Sequence, residues 1–400
     1  MKLNQKIILT YFAVVFFAFA LLLPAYYIYD PMQIFHKAWG REVTFHKHMR
    51  QQAAGIINNF HNYDSVILGT SMIENTSSKE ASEKLGGEFI NISMPGSSYF
   101  ERAIVMRSLF RQHKVKNILY SLDVDKYFGQ EKAYPDYPVS EFDYLYDESR
   151  LNDFKLYANI KYLPCVLLQA TRKKCVGEKI TLDRPNAWFE NKNFSIWFGG
   201  LDKWVSSKNN RQILASLGAI SKTVEHIKRQ ETLSLEKADE TIRSAKRYID
   251  ENILDFVKAH PGTNFILLDP PYSRPLYAIW AQYNLPKFKV YKEILRYLAE
   301  KRDEYPNLEV YSFGEEQFID DIATYKDLTH YHYSINSWML SAIAQKKGLL
   351  HKDNISEYLE SITQKALNYD LIGLDNSIKH TLKAKAQQKS QDPMRPPIQN

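Results

Sequence analysis

The sequence predicts an α/β fold: a three-layer α/β/α sandwich around a mostly parallel five-stranded sheet, preceded by one N-terminal transmembrane helix. Three observations predict it. Short apolar runs alternate with single helical stretches, the pattern of βαβ units whose sheet is covered on both faces. Residues 7–29, "IILTYFAVVFFAFALLLPAYYIY", run for 23 residues without a charge, long enough to cross a hydrocarbon core as a helix. The chain has 400 residues, 44% of them hydrophobic, enough for a full core and a sizeable insertion.

The elements follow in order. Lys2 and Lys6 precede the apolar run, which places the N-terminus in the cytoplasm and the rest of the chain outside. Tyr26, Tyr27 and Tyr29 stand where an interfacial aromatic belt belongs. A cleaved signal peptide and a buried helix are the rival readings. For a signal peptide the apolar core is long, and the exit "PAYYIYDP" lacks a small-x-small site. Residues 1–30 are therefore expected to be an anchor in the plasma membrane and 31–365 an extracytoplasmic domain.

Residues 30–60 read as a juxtamembrane loop and a helix. "SVILGTS" is the first strand, "SSKEASEKLG" a helix ending at Gly86–Gly87, and "EFINISM" the second strand. The turn "PGSS", the helix "YFERAIVMRSLFRQH" and the strand "VKNILYSLDV" come next. The rhythm breaks at 129–230, which is rich in Tyr, Phe, Trp, Pro and Asn and reads as an irregular, partly helical insertion. Its aromatic rings suit either a carbohydrate-stacking or membrane-facing surface or a small core of its own. Residues 234–260 keep a helical period through Leu235, Ala238, Ile242, Ala245, Ile249, Ile253 and Phe256. "TNFILLDPPYS" is the fourth strand and a Pro-rich loop, "KFKVYKEILRYLAEKRDEY" the return helix, "NLEVYSFG" the fifth strand and "SINSWMLSAIAQKKGLL" the last core helix. Residues 366–400 are polar and basic and are expected to form a flexible tail.

Composition narrows the function. Net charge is +6, spread along the chain, and no nucleic-acid-binding motif accompanies it. Cys165 and Cys175 are the two cysteines; a disulfide and two free thiols both remain open in an extracytoplasmic setting. The pairs in "FHKHM" and "HYHY" lie two apart with no carboxylate cluster to complete a set, so no metal site is expected. Nothing calls for a cofactor.

Two stretches carry chemistry. "VILGTSMIENTSS" (66–78) runs a strand into a turn at Ser71, the edge of an α/β sheet where ligands bind. "YKDLTHYHYSINSW" (325–338) follows the fifth strand, on the same side of a parallel sheet. Asp327 and His330 are three apart, so one loop can deliver a base and its orienter to a serine; His332 is the competing base. Each stretch also has a plainer account. Thr70 or Ser71 serves as a helix cap, Asp327 caps a helix, and Gly96 after Pro95 is an ordinary turn residue. Glu74 and Asn75 are expected in the first helical turn after Ser71, as caps or as pocket residues. Asp123 and Asp125 after the third strand, and Asp269 after the fourth, are candidates for the cleft or for loop caps.

The Ser71 strand–turn, Gly96 in "NISMPGSS" and the late "DLTH" together resemble the SGNH (GDSL-like) hydrolase superfamily, over roughly 60–128 and 262–350. With the N-terminal anchor, "GTSMIEN" is similar to membrane-anchored members that modify envelope polymers. These include the D-alanine-transfer protein of lipoteichoic-acid synthesis and the alginate O-acetylation proteins. The resemblance implies an SGNH/flavodoxin-like sheet, Ser71 as nucleophile, His330 as general base and Asp327 as its orienter. It implies an oxyanion hole from the Ser71 and Gly96 backbone. It further implies an esterase or acyltransferase acting on an envelope polysaccharide or other acylated polymer, with a membrane-bound O-acyltransferase as partner. Two positions depart from the pattern: Thr70 stands where the family usually has Asp, and no Asn is identifiable as a side-chain oxyanion donor. The alternative function is a non-catalytic, membrane-tethered scaffold of the envelope with the same fold.

Overall fold

The structure, a computed structural model, describes residues 3–123, 138–159, 161–191, 194–207 and 210–391. Five strands form one sheet: β1 (Ser65–Leu68), β2 (Phe89–Asn91), β3 (Asn117–Ser121), β4 (Asn264–Asp269) and β5 (Leu308–Ser312). Their order is β2-β1-β3-β4-β5 and every pairing is parallel, with Ser65 opposite Phe89 on one side and Asn117 on the other. Nearly every strand residue is buried, as expected of a parallel sheet with both faces covered. All five strands therefore end at one edge, and the order reverses beside β1, where ligands settle in such sheets.

The helices include α1 (Leu3–Tyr29), α2 (Met49–Asn59), α3 (Ser78–Leu85), α4 (Tyr99–Gln112), α5 (Leu163–Leu167) and α6 (Arg211–Lys228). Beyond these come α7 (Ala238–Ile249), α8 (Arg274–Gln282), α9 (Leu285–Glu304), α10 (Tyr333–Ala344), α11 (Ile355–Leu367) and α12 (Leu371–Gln391). Helix α1 is long and apolar enough to cross a membrane. Local chemistry sets several boundaries. Ser98 opens α4 with a capping box: its hydroxyl takes the Glu101 N–H while the Glu101 carboxylate takes the Ser98 N–H. Ser77 caps α3 by accepting from the Glu80 N–H at 3.1 Å.

Two sequence expectations change. The helical run at 234–260 is interrupted by a π-turn at Asp250–Leu254. Among the described residues of the segment between β3 and α7, α6 runs for 18 residues, opened by the Asn210 side chain. The flexible tail is instead helix through Gln391. Leu371, Leu374 and Ile378 recur at helical spacing and face α6, where the fully buried Asp375 accepts from the Ser221 hydroxyl at 2.5 Å. Cys165 and Cys175 form a disulfide.

Candidate active site

The turn after β1 is built around Gly69. A Cβ there would meet the Ser121 hydroxyl at 2.3 Å and the Ile73 side chain at 2.6 Å, so only glycine lets β1 turn so close to β3. The neighbouring Thr70 is held twice. Its N–H donates to the Ser121 hydroxyl at 3.3 Å and its own hydroxyl donates to Asp123 at 2.5 Å. Asp123 in turn takes Ser121 Oγ at 2.8 Å and the fully buried Arg102 guanidinium at 3.0 Å. Asp123 thus fixes the turn from beneath and does not open onto a cleft. Thr70 supplies the hydroxyl for that tie.

Ser71 leaves this turn half-buried, and its hydroxyl lies 2.9 Å from His330 Nε2. The other ring nitrogen, Nδ1, lies 2.9 and 3.0 Å from the two Asp327 oxygens. A nitrogen facing a carboxylate carries the proton, so the Nε2 lone pair faces Ser71 Oγ. Asp327 also accepts the N–H groups of Thr329 and His330, each at 2.9 Å, and the Thr329 hydroxyl at 2.8 Å. Burial opposes ionisation of Asp327. The facing His330, Lys326 and the His330 N–H outweigh it and hold the carboxyl well below the usual range.

Serine and histidine come from β1 and β5, which are separated by β3 and β4. The chain after β5 crosses the strand ends to bring them together. Tyr325 donates its hydroxyl to the Pro271 carbonyl, and the Leu328 carbonyl accepts from Ser273. Beyond the crossing, the Tyr331 hydroxyl and the Asn336 amide both donate to the Met72 carbonyl, at 2.6 and 3.1 Å. A bridge between Tyr325 and Tyr331 closes the loop carrying Asp327 and His330. His332 stands one residue outside it and points elsewhere. Its ring accepts the Ser334 N–H and caps α10, and burial pushes its basicity down.

The turn bearing Gly96 is sewn to the same place. The Met94 N–H and the Ser97 hydroxyl both donate to the Gly69 carbonyl, at 2.8 and 3.2 Å. Gly96 has φ +64°, a left-handed conformation that glycine adopts without strain. Among the described residues, neither the Ser71 nor the Gly96 N–H has an acceptor.

Glu74 and Asn75 lie in the turn, since α3 starts only at Ser78 under its own Ser77 cap; they do not cap it. Both are buried, and Glu74 Oε1 and Asn75 Nδ2 have no hydrogen-bond partner. Burial pushes the Glu74 carboxyl up to about 8, against the pull of Arg50 and Lys326. Asp269 is fully buried among Tyr291 and Ser312, which donate to it at 2.7 and 2.5 Å. Burial pushes it up to about 7 despite those bonds. It braces β4 against β5 and lines no cleft. Asp125 lies outside the described residues.

The insertion supplies residues that the motifs do not reveal. Trp188 donates its indole N–H to the Ser71 carbonyl at 2.9 Å and stands edge-on to the His330 ring, centroids 5.8 Å apart. Phe189 N–H donates to Asn75 Oδ1 at 3.3 Å. Lys326 is buried with its ammonium 5.0 Å from the Trp188 ring centre, 5.1 Å from that of Trp197, and 3.7 Å from Asp327. The ammonium donates a hydrogen bond to Gln212 Oε1 at 2.7 Å. Burial pushes the Lys326 ammonium down, against the opposing pull of Asp327. Lys326 adjoins Asp327 in sequence, a signal that could have drawn attention to it. Trp188 gives no such signal.

The arrangement can deprotonate a serine hydroxyl and hold the resulting imidazolium. Among the described residues no group of His, Cys, Asp and Glu side chains is placed to hold a metal ion. Comparison with protein-family models, with curated proteins and with solved structures finds no match to this chain.

Proposed function

We propose that this chain is a membrane-anchored, extracytoplasmic serine esterase or acyltransferase acting on acyl esters of an envelope polysaccharide or polymer. The observation that carries the reading is the contiguous Ser71–His330–Asp327 relay, three groups from two distant segments within hydrogen-bond reach. Ser71 Oγ attacks the acyl carbonyl as His330 Nε2 takes its proton. The tetrahedral oxyanion lies against the Ser71 and Gly96 N–H groups. Its collapse expels the alcohol, which receives the proton from His330, and leaves the acyl group on Ser71. Water or a polymer hydroxyl, deprotonated by the same His330, then releases the acyl group.

The fold proposed with it is a three-layer SGNH-like sandwich, supported by the five parallel strands and the order of Ser71, Gly96, Asp327 and His330 along them. The topology proposed is a single pass, N-terminus cytoplasmic, with α1 retained. Tyr26 and Tyr29 support retention: both are buried against the domain, contacts that cleavage after the apolar run would remove. The same resemblance supplies the acylated polymer as substrate and a membrane-bound O-acyltransferase as partner.

The test is labelling of the full-length chain, in membranes, with a serine-reactive fluorophosphonate. Labelling mapped to Ser71 and absent from Ser71→Ala supports the reading. A folded wild-type chain that takes no label, or a Ser71→Ala variant that labels equally, overturns it.

A further inference from the structure

Helix α1 does not hang from the domain on a loose linker. Tyr26 stacks on Tyr157 with centroids 5.7 Å apart. The Tyr157 hydroxyl donates to Asp30 at 2.5 Å, and the same carboxylate accepts the N–H groups of Ile34, Phe35 and His36. Leu22 and Ala25, inside the apolar stretch, are partly buried against the same core. Leu22 lies about 10 Å further along the helix than Tyr29, at 1.5 Å per residue. Part of the domain therefore reaches the level of the apolar section.

The elements that pack on those turns are the 3₁₀ segment Asn152–Ala158 and α5. Helix α5 begins the loop that the Cys165–Cys175 disulfide closes, and the Tyr29 hydroxyl donates to Ala170 O in its middle at 2.5 Å. The loop is divided in character. Leu167 and Leu168 are 65% and 72% exposed, an unusual state for two adjacent leucines in a loop tied down by a disulfide. Arg172, Lys173 and Lys174 follow, all exposed, with Lys173 reaching Glu178. At the same helix foot Trp39, 55% exposed, stacks on His36 beside Tyr27, the amphipathic aromatic type that settles at headgroup level.

We propose that the loop Cys165–Cys175 is a second membrane-contact element. Leu167 and Leu168 enter the apolar edge of the leaflet from which α1 emerges, and Arg172 and Lys174 lie among anionic headgroups. The occupant is a bilayer because the loop is continuous with the apolar helix and carries apolar and cationic residues side by side. The rigid joint at Asp30 and the disulfide then hold one face of the domain against the membrane.

The inference rests on α1 lying in the bilayer, so the test reads both. Full-length protein is placed in nanodiscs of phosphatidylcholine and phosphatidylglycerol, with photo-reactive benzoyl-phenylalanine replacing Phe16, Leu167, Leu168 or Leu235, one at a time. Lipid adducts are expected at Phe16, Leu167 and Leu168 and not at Leu235, an exposed leucine before α7. Adducts at Phe16 alone overturn the loop contact while leaving the span intact. Adducts at none of the four overturn both. Replacing phosphatidylglycerol by phosphatidylcholine should lower the Leu168 yield severalfold; an unchanged yield overturns the headgroup role of Arg172 and Lys174.

Discussion

The indole N–H of Trp188 donates to the carbonyl oxygen of Ser71 at 2.9 Å, while the same ring system stands perpendicular to the His330 ring, centroids 5.8 Å apart. One side chain from the aromatic insertion therefore touches both the proposed nucleophile and the proposed base. A neutral hydrogen bond of this kind contributes about 1 kcal/mol. Trp188→Phe keeps a ring beside His330 and removes the bond, so the rate of fluorophosphonate labelling at Ser71 should fall roughly fivefold. Trp188→Ala should fall further, because the ring beside the Lys326 ammonium goes too. Wild-type rates in both variants would show that Trp188 only packs the insertion.

Asp327 gives a sharper test of the relay. Asp327→Asn keeps the volume but lets an amide face Nδ1, which favours the proton on the wrong ring nitrogen. In hydrolases with this relay the same change costs about 10⁴-fold, and a loss of that order is expected in labelling. Asp327 is also a carboxylate held below its ordinary range, so its stabilising effect is present above about pH 4 and is lost as pH falls through its folded value. The Asn variant should therefore show a smaller loss of Tm between pH 6 and acid conditions than wild type. An Asn variant that labels at the wild-type rate would remove Asp327 from the mechanism.

His332 should behave as a cap. Its ring accepts from Ser334 N–H at the start of α10, and losing a cap costs about 1 kcal/mol. His332→Ala is expected to lower Tm by a few degrees and to leave Ser71 labelling intact. Abolished labelling in a folded His332→Ala variant would mean that the base had been assigned to the wrong ring.

These residues differ in how legible they are in the chain. Ser71 is visible because an apolar strand must end in a turn at a parallel sheet's ligand-binding edge. Asp327 and His330 are visible because three-residue spacing lets one loop carry both. Asp123 is visible only as a strand-end carboxylate. Its partner Arg102 sits on α4, facing it only once β3 is laid beside β1. Trp188 reaches Ser71 across 117 residues from a segment without periodicity, so no local pattern points to it. Glu74 reads as helix because a carboxylate near a helix start is common; Ser77, the actual cap, moves the boundary and leaves Glu74 in a buried turn. In the C-terminal segment the Lys- and Gln-rich composition masks Leu371, Leu374 and Ile378, whose spacing is what docks α12.

Removing the Asp123 carboxylate should loosen the Ser71 turn. Arg102 is fully buried and Asp123 nearly so, and breaking such a pair by deleting one partner costs about 3–5 kcal/mol. Asp123→Ala should lower the free energy of chemical unfolding by that amount and slow labelling at Ser71, since Thr70 loses its acceptor. Unchanged stability would show that Arg102 finds other acceptors, for which the Ser97 and Ser121 carbonyls at 3.2 and 2.7 Å are in place.

Glu74 predicts a pH dependence of the opposite sign. Its carboxyl is pushed up to about 8 from 4.5 by burial, and Oε1 has no partner. Between those two values the unfolded chain has lost the Glu74 proton while the folded chain keeps it. The folded state then binds more protons than the unfolded one, so stability falls as pH rises through this interval and levels off above it. Asp269, also raised by burial, contributes in the same direction up to about 7. Glu74→Gln preserves shape and removes one titrating group, so its Tm should fall less than wild type between pH 5 and 8. At pH 8 the variant should be the more stable of the two. Parallel melting curves across the interval would place Glu74 ionised in the folded state and sink the prediction. If Glu74→Gln is more stable at pH 8 yet labels more slowly at Ser71, the buried Glu74 carboxyl is kept for the proposed chemistry at the expense of the fold.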